Sequence, residues 1–200
     1  MKPMPDSEIA RHADRLLRGT CAPFLVNHCL RRYLWGAALA EVEKLAFDAE
    51  LLFVSAALHD LGLVPQFDTG APFEHDSATA AHEFAHGHGW PARWSAVAEQ
   101  AIVLHVAPNV TLDHGAEAYL LWHATAVDVT GSRLDELPTT IITQILSSYP
   151  RLDFTAGFGK AFASQARQKP KSRAAQLVEA GLLERLNASV LSQPSPGSWE

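Results

Sequence analysis

Several features that mark specialised classes of protein are scarce or missing in this sequence. Cys21 and Cys29 are the only cysteines among 200 residues and form no CxxC pair, so we expect neither a disulfide framework nor a zinc knuckle. Its apolar runs are too short to span a bilayer and its first residues lack a signal-peptide core, so we expect a cytoplasmic protein without a membrane partner. The 16 basic residues are outnumbered by 22 acidic ones, and the net charge of −6 argues against a nucleic-acid partner.

Runs of alternating β-branched residues are also scarce, whereas apolar residues at helical spacing are abundant, which predicts an all-α fold. We expect one domain over residues 1–186, with a core at about 20–150 and C-terminal helices within 151–186. Residues 187–200, with two Pro, one Gly and four Ser, are expected to form a flexible tail. The predicted helices cover residues 7–17, 23–45, 49–61, 77–86, 92–104, 115–129, 139–148 and 171–186.

Histidine is the residue type in excess, with ten copies, and imidazole is the commonest protein ligand for metals. His59 and Asp60 are adjacent at the predicted end of a helix. Neighbouring side chains on a helix diverge by about 100°, so these two can serve one point only near the helix end, and other ligands must come from elsewhere. His28 and Asp128 lie in apolar helical surroundings, where an unpartnered polar group is costly. Together the four residues predict a metal site.

In this order and setting, the four residues resemble the metal site of the HD superfamily of metal-dependent hydrolases. The flanking strings are similar to those of cyanamide hydratases and their bacterial HD relatives, over about residues 20–175. The strings that carry the resemblance are Asn27-His28, residues 31–36 (Arg-Arg-Tyr-Leu-Trp-Gly), residues 58–62 (Leu-His-Asp-Leu-Gly), Phe73-Glu74 with Asp76, Leu104-His105, Asp128-Val129 with Gly131, and Tyr149-Pro150-Arg151 with Lys169-Pro170.

The resemblance implies an HD-domain helical bundle with its metal site between core helices and a small molecule as its substrate. It implies one divalent metal, Zn²⁺ before Fe²⁺, held by His28, His59, Asp60 and Asp128. Such an ion lowers the pKa of a bound water from about 15.7 to about 7. Attack of that metal-bound hydroxide on a small nitrile such as cyanamide would give urea, which is formally a lyase reaction. The sequence is compatible with a homo-oligomer.

Three residues near this site are candidates for moving the proton that hydration requires, namely Glu74, Asp76 and His105. We expect a small pocket between them, because large side chains fill the space near the proposed metal. These side chains are Phe24, Tyr33, Trp35 and Phe73. The sequence departs from the family at two points. It reads Glu-His-Asp-Ser-Ala from residue 74, where the family has Glu-Val-Asp-Gly-Ala, and it has Val106 where a small hydroxyl residue often follows the Leu-His pair.

Two other functions stay open, a phosphohydrolase acting on a nucleotide or another phosphomonoester, and a non-catalytic metal-binding or ligand-sensing module. A phosphohydrolase needs cations for its phosphate, and only two basic residues occur between positions 33 and 132. Arg31 and Arg32 follow His28 by about one helical turn. Either can reach the pocket or pair with a carboxylate such as Glu74 or Asp76.

Residues 82–86, His-Glu-Phe-Ala-His, match the HExxH motif of zinc peptidases, in which two histidines one turn apart bind zinc. The longer form of that motif needs a third histidine where this chain has Ala92, and two glycines and a proline end the helix at once. We therefore expect His82 and His86 to lie on a solvated helix face rather than in a peptidase site.

Overall fold

The computed structural model describes residues 3–192, and within that range every regular element is helical, which confirms the all-α fold. In the same range no helix is both long and apolar enough to cross a membrane. Helices α1 to α10 are Glu8–Thr20, Pro23–Glu43, Ala49–Leu58, Phe73–Gly87, Ala92–Leu104, Ala116–Thr130, Thr139–Ser148, Phe154–Gln168, Arg173–Glu179 and Leu182–Ala188. Short 3₁₀ helices cover Leu61–Leu63, Leu112–His114, Leu134–Glu136 and Val190–Ser192.

Helix α2 is the central helix of the fold. Pro23 lies in its first turn, where its fixed φ suits a helix start, and all residues from 28 to 40 are buried. A helix that is apolar around its whole circumference is covered on all sides, and α2 contacts α3, α6, α7 and α8. His28 consequently lies in the interior, at the meeting point of several helices.

Helix α3 delivers the adjacent His-Asp pair. Asp48 caps its start, where Oδ1 accepts hydrogen bonds from the amides of residues 50 and 51. The helix ends at Leu58, His59 is its C-cap, and Asp60 has left the helical conformation. Gly62 then passes close to the start of α4, where a Cβ at this position would lie 2.2 Å from the carbonyl oxygen of Phe73. The close approach fixes the chain just after Asp60.

Helix α8 was not predicted from the sequence. Phe154, Phe158 and Phe162 are buried one turn apart along it, so its apolar stripe has ordinary helical spacing. Glycine weakens helices, and Gly157 and Gly159 both lie within α8. At residue 157 glycine is required by packing, because a Cβ would lie 2.5 Å from the Phe24 ring. Tertiary packing thus stabilises a helix that its own sequence disfavours.

Two predicted helices have different bounds in the structure. The helix predicted at 171–186 is divided into α9 and α10 by Gly181, which adopts φ +82° and ends the first helical segment. Helix α4 begins at Phe73, before the predicted start at residue 77, because Pro72 occupies the N-cap position. The earlier start places Glu74 and Asp76 inside the first turn of α4.

Residues 187–192, which the sequence assigns to a flexible tail, pack against the fold instead. Leu191 is buried, and the hydroxyl of Ser192 donates a hydrogen bond to the carbonyl of Leu186 and accepts one from Thr155. A buried leucine and satisfied hydroxyl groups keep this segment in place. The rest of the predicted tail lies outside the described residues.

Candidate metal centre

Three buried side chains converge where α2 passes the end of α3. Oδ2 of Asp60 lies 3.3 Å from Nε2 of His28 and 3.2 Å from Nε2 of His59. All three residues are at most 1% exposed, and they form the one group of three or more potential metal ligands among residues 3–192. Separations of this size are those of ligands that share one ion at about 2.0–2.2 Å from each atom.

None of these three atoms has a hydrogen-bond partner. Nδ1 of His59 lies 2.8 Å from the carbonyl oxygen of Ala56, and since a carbonyl only accepts, Nδ1 carries the hydrogen. Nδ1 of His28 lies 2.6 Å from Oδ2 of Asp128 and donates in the same way. Both Nε2 atoms therefore present lone pairs to the Asp60 carboxylate. Buried lone pairs without a donor are what a cation would satisfy, so these residues fit a divalent metal.

Electrostatics favours the protonation states that metal binding requires. Burial lowers the pKa of His59 to about 4, opposed by Asp60 and reinforced by the nearby Arg32, so this imidazole is neutral near pH 7. Burial by itself would raise the pKa of Asp60, but the neighbouring His59 and His28 imidazoles take up a proton in preference to the carboxylate, which holds the pKa of Asp60 well below its usual range. Neutral imidazoles and an ionised carboxylate are the forms that bind metals.

Asp128 lies on the far side of the His28 ring and is held by several donors. Its Oδ1 accepts from Nε of Arg31 at 2.6 Å and from Nε1 of Trp35 at 2.7 Å. Its Oδ2 accepts from Nη2 of Arg31 at 2.8 Å and from Nδ1 of His28, and Nη1 of Arg151 donates to its backbone carbonyl at 2.7 Å. The structure therefore places Asp128 where it orients His28, outside the group of three converging residues. Its predicted role as the fourth ligand stays a prediction.

The sequence analysis missed this set of donors around Asp128. Arg31 pairs with Asp128 rather than with Glu74 or Asp76, and Arg32 donates to the carbonyl of Leu121 at 2.9 Å. A signal was present, because residues 28, 31 and 35 are spaced i, i+3 and i+7 and share one face of α2. All three side chains on that face reach the same carboxylate.

His105 joins the centre from the end of α5. Its Nδ1 donates to the carbonyl of Ile102, and its Nε2 lies 3.7 Å from Oδ1 of Asp60. Its ring meets the His59 ring edge to face, with centroids 4.9 Å apart. Burial, reinforced by His59, lowers the pKa of His105 well below its usual value, so the side chain is a neutral imidazole. The structure thus brings this predicted residue next to the metal-binding group.

The other two proton-transfer candidates occupy different settings. The Asp76 carboxylate accepts hydrogen bonds from the hydroxyl and the amide of Thr69, and Nζ of Lys169 lies 3.6 Å from its Oδ2. These contacts tie the loop before α4 to the end of α8. Glu74 is 5% exposed, its Oε2 has no hydrogen-bond partner, and burial raises its pKa.

The HExxH segment lies on the surface of α4. His82 and His86 are exposed, and Nδ1 of His82 lies 2.9 Å from Oε1 of Glu99 on α5. Neither histidine belongs to the group of potential metal ligands found within the described range. The segment therefore forms a solvated face, as expected.

Comparisons with known proteins identify the family to which this chain belongs. The HD domain family model matches residues 25–153. Cyanamide hydratase DDI2 and cyanamide hydratase DDI3 of Saccharomyces cerevisiae are each 24% identical over 173 residues, which cover 84% of this chain and 77% of each relative. An uncharacterized protein of Clostridium beijerinckii is 29% identical over 83 residues, 40% of this chain and 53% of the relative. Because the family match spans more than half of the chain and contains all the residues of the centre, this protein belongs to the HD domain family and is a metal-dependent hydratase or hydrolase.

Proposed function

We propose that this protein hydrates a small nitrile such as cyanamide to give urea. The observation that carries the proposal is the convergence of three buried, unpartnered atoms, Nε2 of His28, Nε2 of His59 and Oδ2 of Asp60, beside the neutral imidazole of His105. The two yeast relatives named as cyanamide hydratases support the choice of substrate, since they align with 84% of this chain.

The proposed cofactor is one divalent cation, Zn²⁺ or Fe²⁺, because both bind sets of imidazole and carboxylate ligands. When bound, such an ion supplies a water of lowered pKa as the nucleophile. His28, His59 and Asp60 would hold it, with Asp128 as the predicted fourth ligand. The hydrogen bonds on both Nδ1 atoms keep the imidazole rings aimed at Asp60 and keep their Nε2 atoms unprotonated.

Hydration forms a bond between the oxygen of water and the nitrile carbon, and both protons of water end on the nitrile nitrogen. No leaving group departs, so the chain must supply a group that accepts a proton and returns it. His105 suits this role, since its Nε2 is unprotonated and lies 3.7 Å from Oδ1 of Asp60. Glu74 is the second candidate, because its raised pKa favours the protonated form that donates. Asp76 has less support, because Thr69 and Lys169 engage its carboxylate.

The phosphohydrolase alternative has less support from the charges around the centre. All three guanidinium nitrogens of Arg31 donate hydrogen bonds, to the Asp128 carboxylate and to the carbonyls of residues 149 and 150. Arg32 is buried and donates to a carbonyl of α6, and burial lowers its pKa to about 10. Arg31 is therefore not free to clamp a phosphate, and a neutral nitrile needs no such clamp.

Product analysis of the metal-loaded protein tests the proposal. We expect urea from cyanamide and no phosphate from deoxynucleoside monophosphates. Replacing His105 with Gln should lower kcat by about 10²–10⁴-fold with the metal content unchanged, because it removes proton transfer. The matched variant His86→Gln, on the exposed face of α4, should retain full activity. Release of phosphate from a nucleotide without urea from cyanamide would replace the hydratase with the phosphohydrolase.

A further inference from the structure

A cavity of about 280 Å³ has His105 in its wall. Its walls come from the end of α5, from α6, and from α8 to α10, and they include His105, Ala126, Val129, Phe158 and Phe162. Glu74 and Asp76 do not line it, so the pocket expected between these two residues and His105 stays a prediction. The cavity is built jointly by α5 and α6, which lie within the family match, and by helices that follow its end at residue 153.

The cavity shares walls with the metal centre. His105 lines it, and the Nε2 of this residue lies 3.7 Å from Oδ1 of Asp60. Phe158 lines it too, and its ring centroid lies 5.2 Å from that of His28. The cavity therefore adjoins the metal centre, and His105 and Phe158 border both.

The surface of the cavity is apolar because most of its polar groups are already paired with backbone. Nε1 of Trp122 donates to the carbonyl of Ala107 at 2.8 Å, and the Thr125 hydroxyl donates to the carbonyl of Leu121 at 2.9 Å. Nε of Arg173 donates to the carbonyl of Val106 at 2.6 Å. The rest of the lining is mostly aliphatic and aromatic, which rewards the burial of an apolar group, and the side chains of Arg173 and Arg185 also line the cavity.

We infer that this cavity binds an apolar substituent of the substrate, so that the protein prefers nitriles bearing an aromatic or branched aliphatic group over cyanamide. The inference rests on the proposed hydratase function and specifies its substrate class. Pockets for organic ligands begin at about 300 Å³ and are mostly apolar, which matches this cavity, whereas cyanamide would leave most of it unfilled. Benzonitrile is a suitable probe, and its hydration to benzamide follows the same atom balance as that of cyanamide to urea.

The test compares the two nitriles on the metal-loaded protein and on Ala126→Phe, which fills the cavity from α6. Wild-type protein should show a kcat/KM for benzonitrile at least about tenfold above that for cyanamide. A126F should lose about tenfold or more of the benzonitrile activity and keep its cyanamide activity. The control Ala92→Phe adds the same side chain at an exposed position of α5, outside the cavity, and should change neither.

The outcomes separate this inference from the function on which it rests. Urea from cyanamide without benzamide from benzonitrile, or an equal loss of both activities in A126F, overturns the inference and leaves the hydratase standing. If neither nitrile reacts, the hydratase proposal fails. In that case, binding of benzonitrile to the metal-free protein is measured by calorimetry. Binding that A126F loses and A92F keeps supports the cavity assignment. Absence of binding to the wild-type protein overturns it. If A126F does not fold, Val129→Ala can be used instead, because it enlarges the same cavity. This variant should shift the preference from benzonitrile towards the larger naphthonitrile. The same preference as in the wild-type protein counts against the inference.

Discussion

Replacing Arg31 with Met should lower the free energy of unfolding by about 3–5 kcal/mol, because it removes the cation that hydrogen-bonds the buried Asp128 carboxylate and leaves Nη1 of Arg151 at 3.8 Å from Oδ2. Arg31 and Asp128 are both fully buried, and two guanidinium nitrogens donate to the two carboxylate oxygens at 2.6 and 2.8 Å. His28 and Trp35 still donate after the change, but Trp35 carries no charge. Denaturant unfolding of the metal-free protein measures this effect apart from metal binding.

Replacing Asp128 with Asn in the R31M variant should restore part of the lost stability. The double variant R31M/D128N removes both charges, so a double-mutant cycle should give a coupling energy of about 1–3 kcal/mol. The matched control is Arg11→Met, which breaks an exposed ion pair with Asp6 at 2.9 Å and should cost less than about 1 kcal/mol. A cost for R31M no larger than that for R11M, or a coupling energy near zero, would show that the buried pair does not support the fold.

The same variant should change the pH dependence of stability. Burial by itself would raise the pKa of Asp128, and the Arg31 guanidinium holds that pKa well below its usual range. Without Arg31 the pKa in the folded state rises, so the variant gains stability as the pH falls and the carboxylate takes up a proton. The difference between wild type and R31M should thus be largest near neutral pH and should narrow on acidification. A difference independent of pH would contradict the assigned cause.

Three further predictions concern the metal site, the close packing at Gly62 and the protonation of buried histidine. Asp60→Ala should empty the metal site by elemental analysis while His86→Ala keeps it, and the reverse would favour the HExxH segment. Gly62→Ala should destabilise the fold by about 1–3 kcal/mol because its Cβ meets a backbone carbonyl of α4, whereas Gly87→Ala, with open space around it, should not. Burial lowers the pKa of His59 to about 4 and that of His105 well below its usual value, so the unfolded chain takes up protons first as the pH falls below about 6.5. Metal-free protein should therefore lose about 1.4 kcal/mol per pH unit for each of these two histidines between pH 6.5 and about 4, and His59→Gln should remove about half of that slope. An unchanged slope would assign the proton to another group.

The parts of the centre that depend on local geometry could be predicted from the sequence. An adjacent His59-Asp60 pair serves one point only at a helix end, and α3 ends there. The Asp48 cap was also visible, because an N-cap depends on a residue and its next three neighbours. His28 was expected in an apolar interior from the character of α2, and it is fully buried.

Interactions between distant segments were harder to predict. The spacing of Arg31 shows which face of α2 it occupies, but not which helix covers that face. From the sequence alone, Glu74 and Asp76 were possible partners, whereas the structure brings Asp128 from α6 onto that face. Local sequence cannot select among several carboxylates, because the choice depends on how helices more than 90 residues apart pack.

Helix α8 illustrates how packing outweighs local preference. Its glycines disfavour a helix, yet Gly157 gives the Phe24 ring the room it needs, and the resulting helix lays Phe158 beside His28. Phe158 and Phe162 of α8 line the cavity beside His105. The HD domain match ends at residue 153, one residue before α8 begins, so these two walls lie outside the segment that contains the metal-binding residues, whereas the walls from α5 and α6 lie within it. Relatives that keep the ligands while differing at residues 158 and 162 are therefore expected to differ in the substituent they accept.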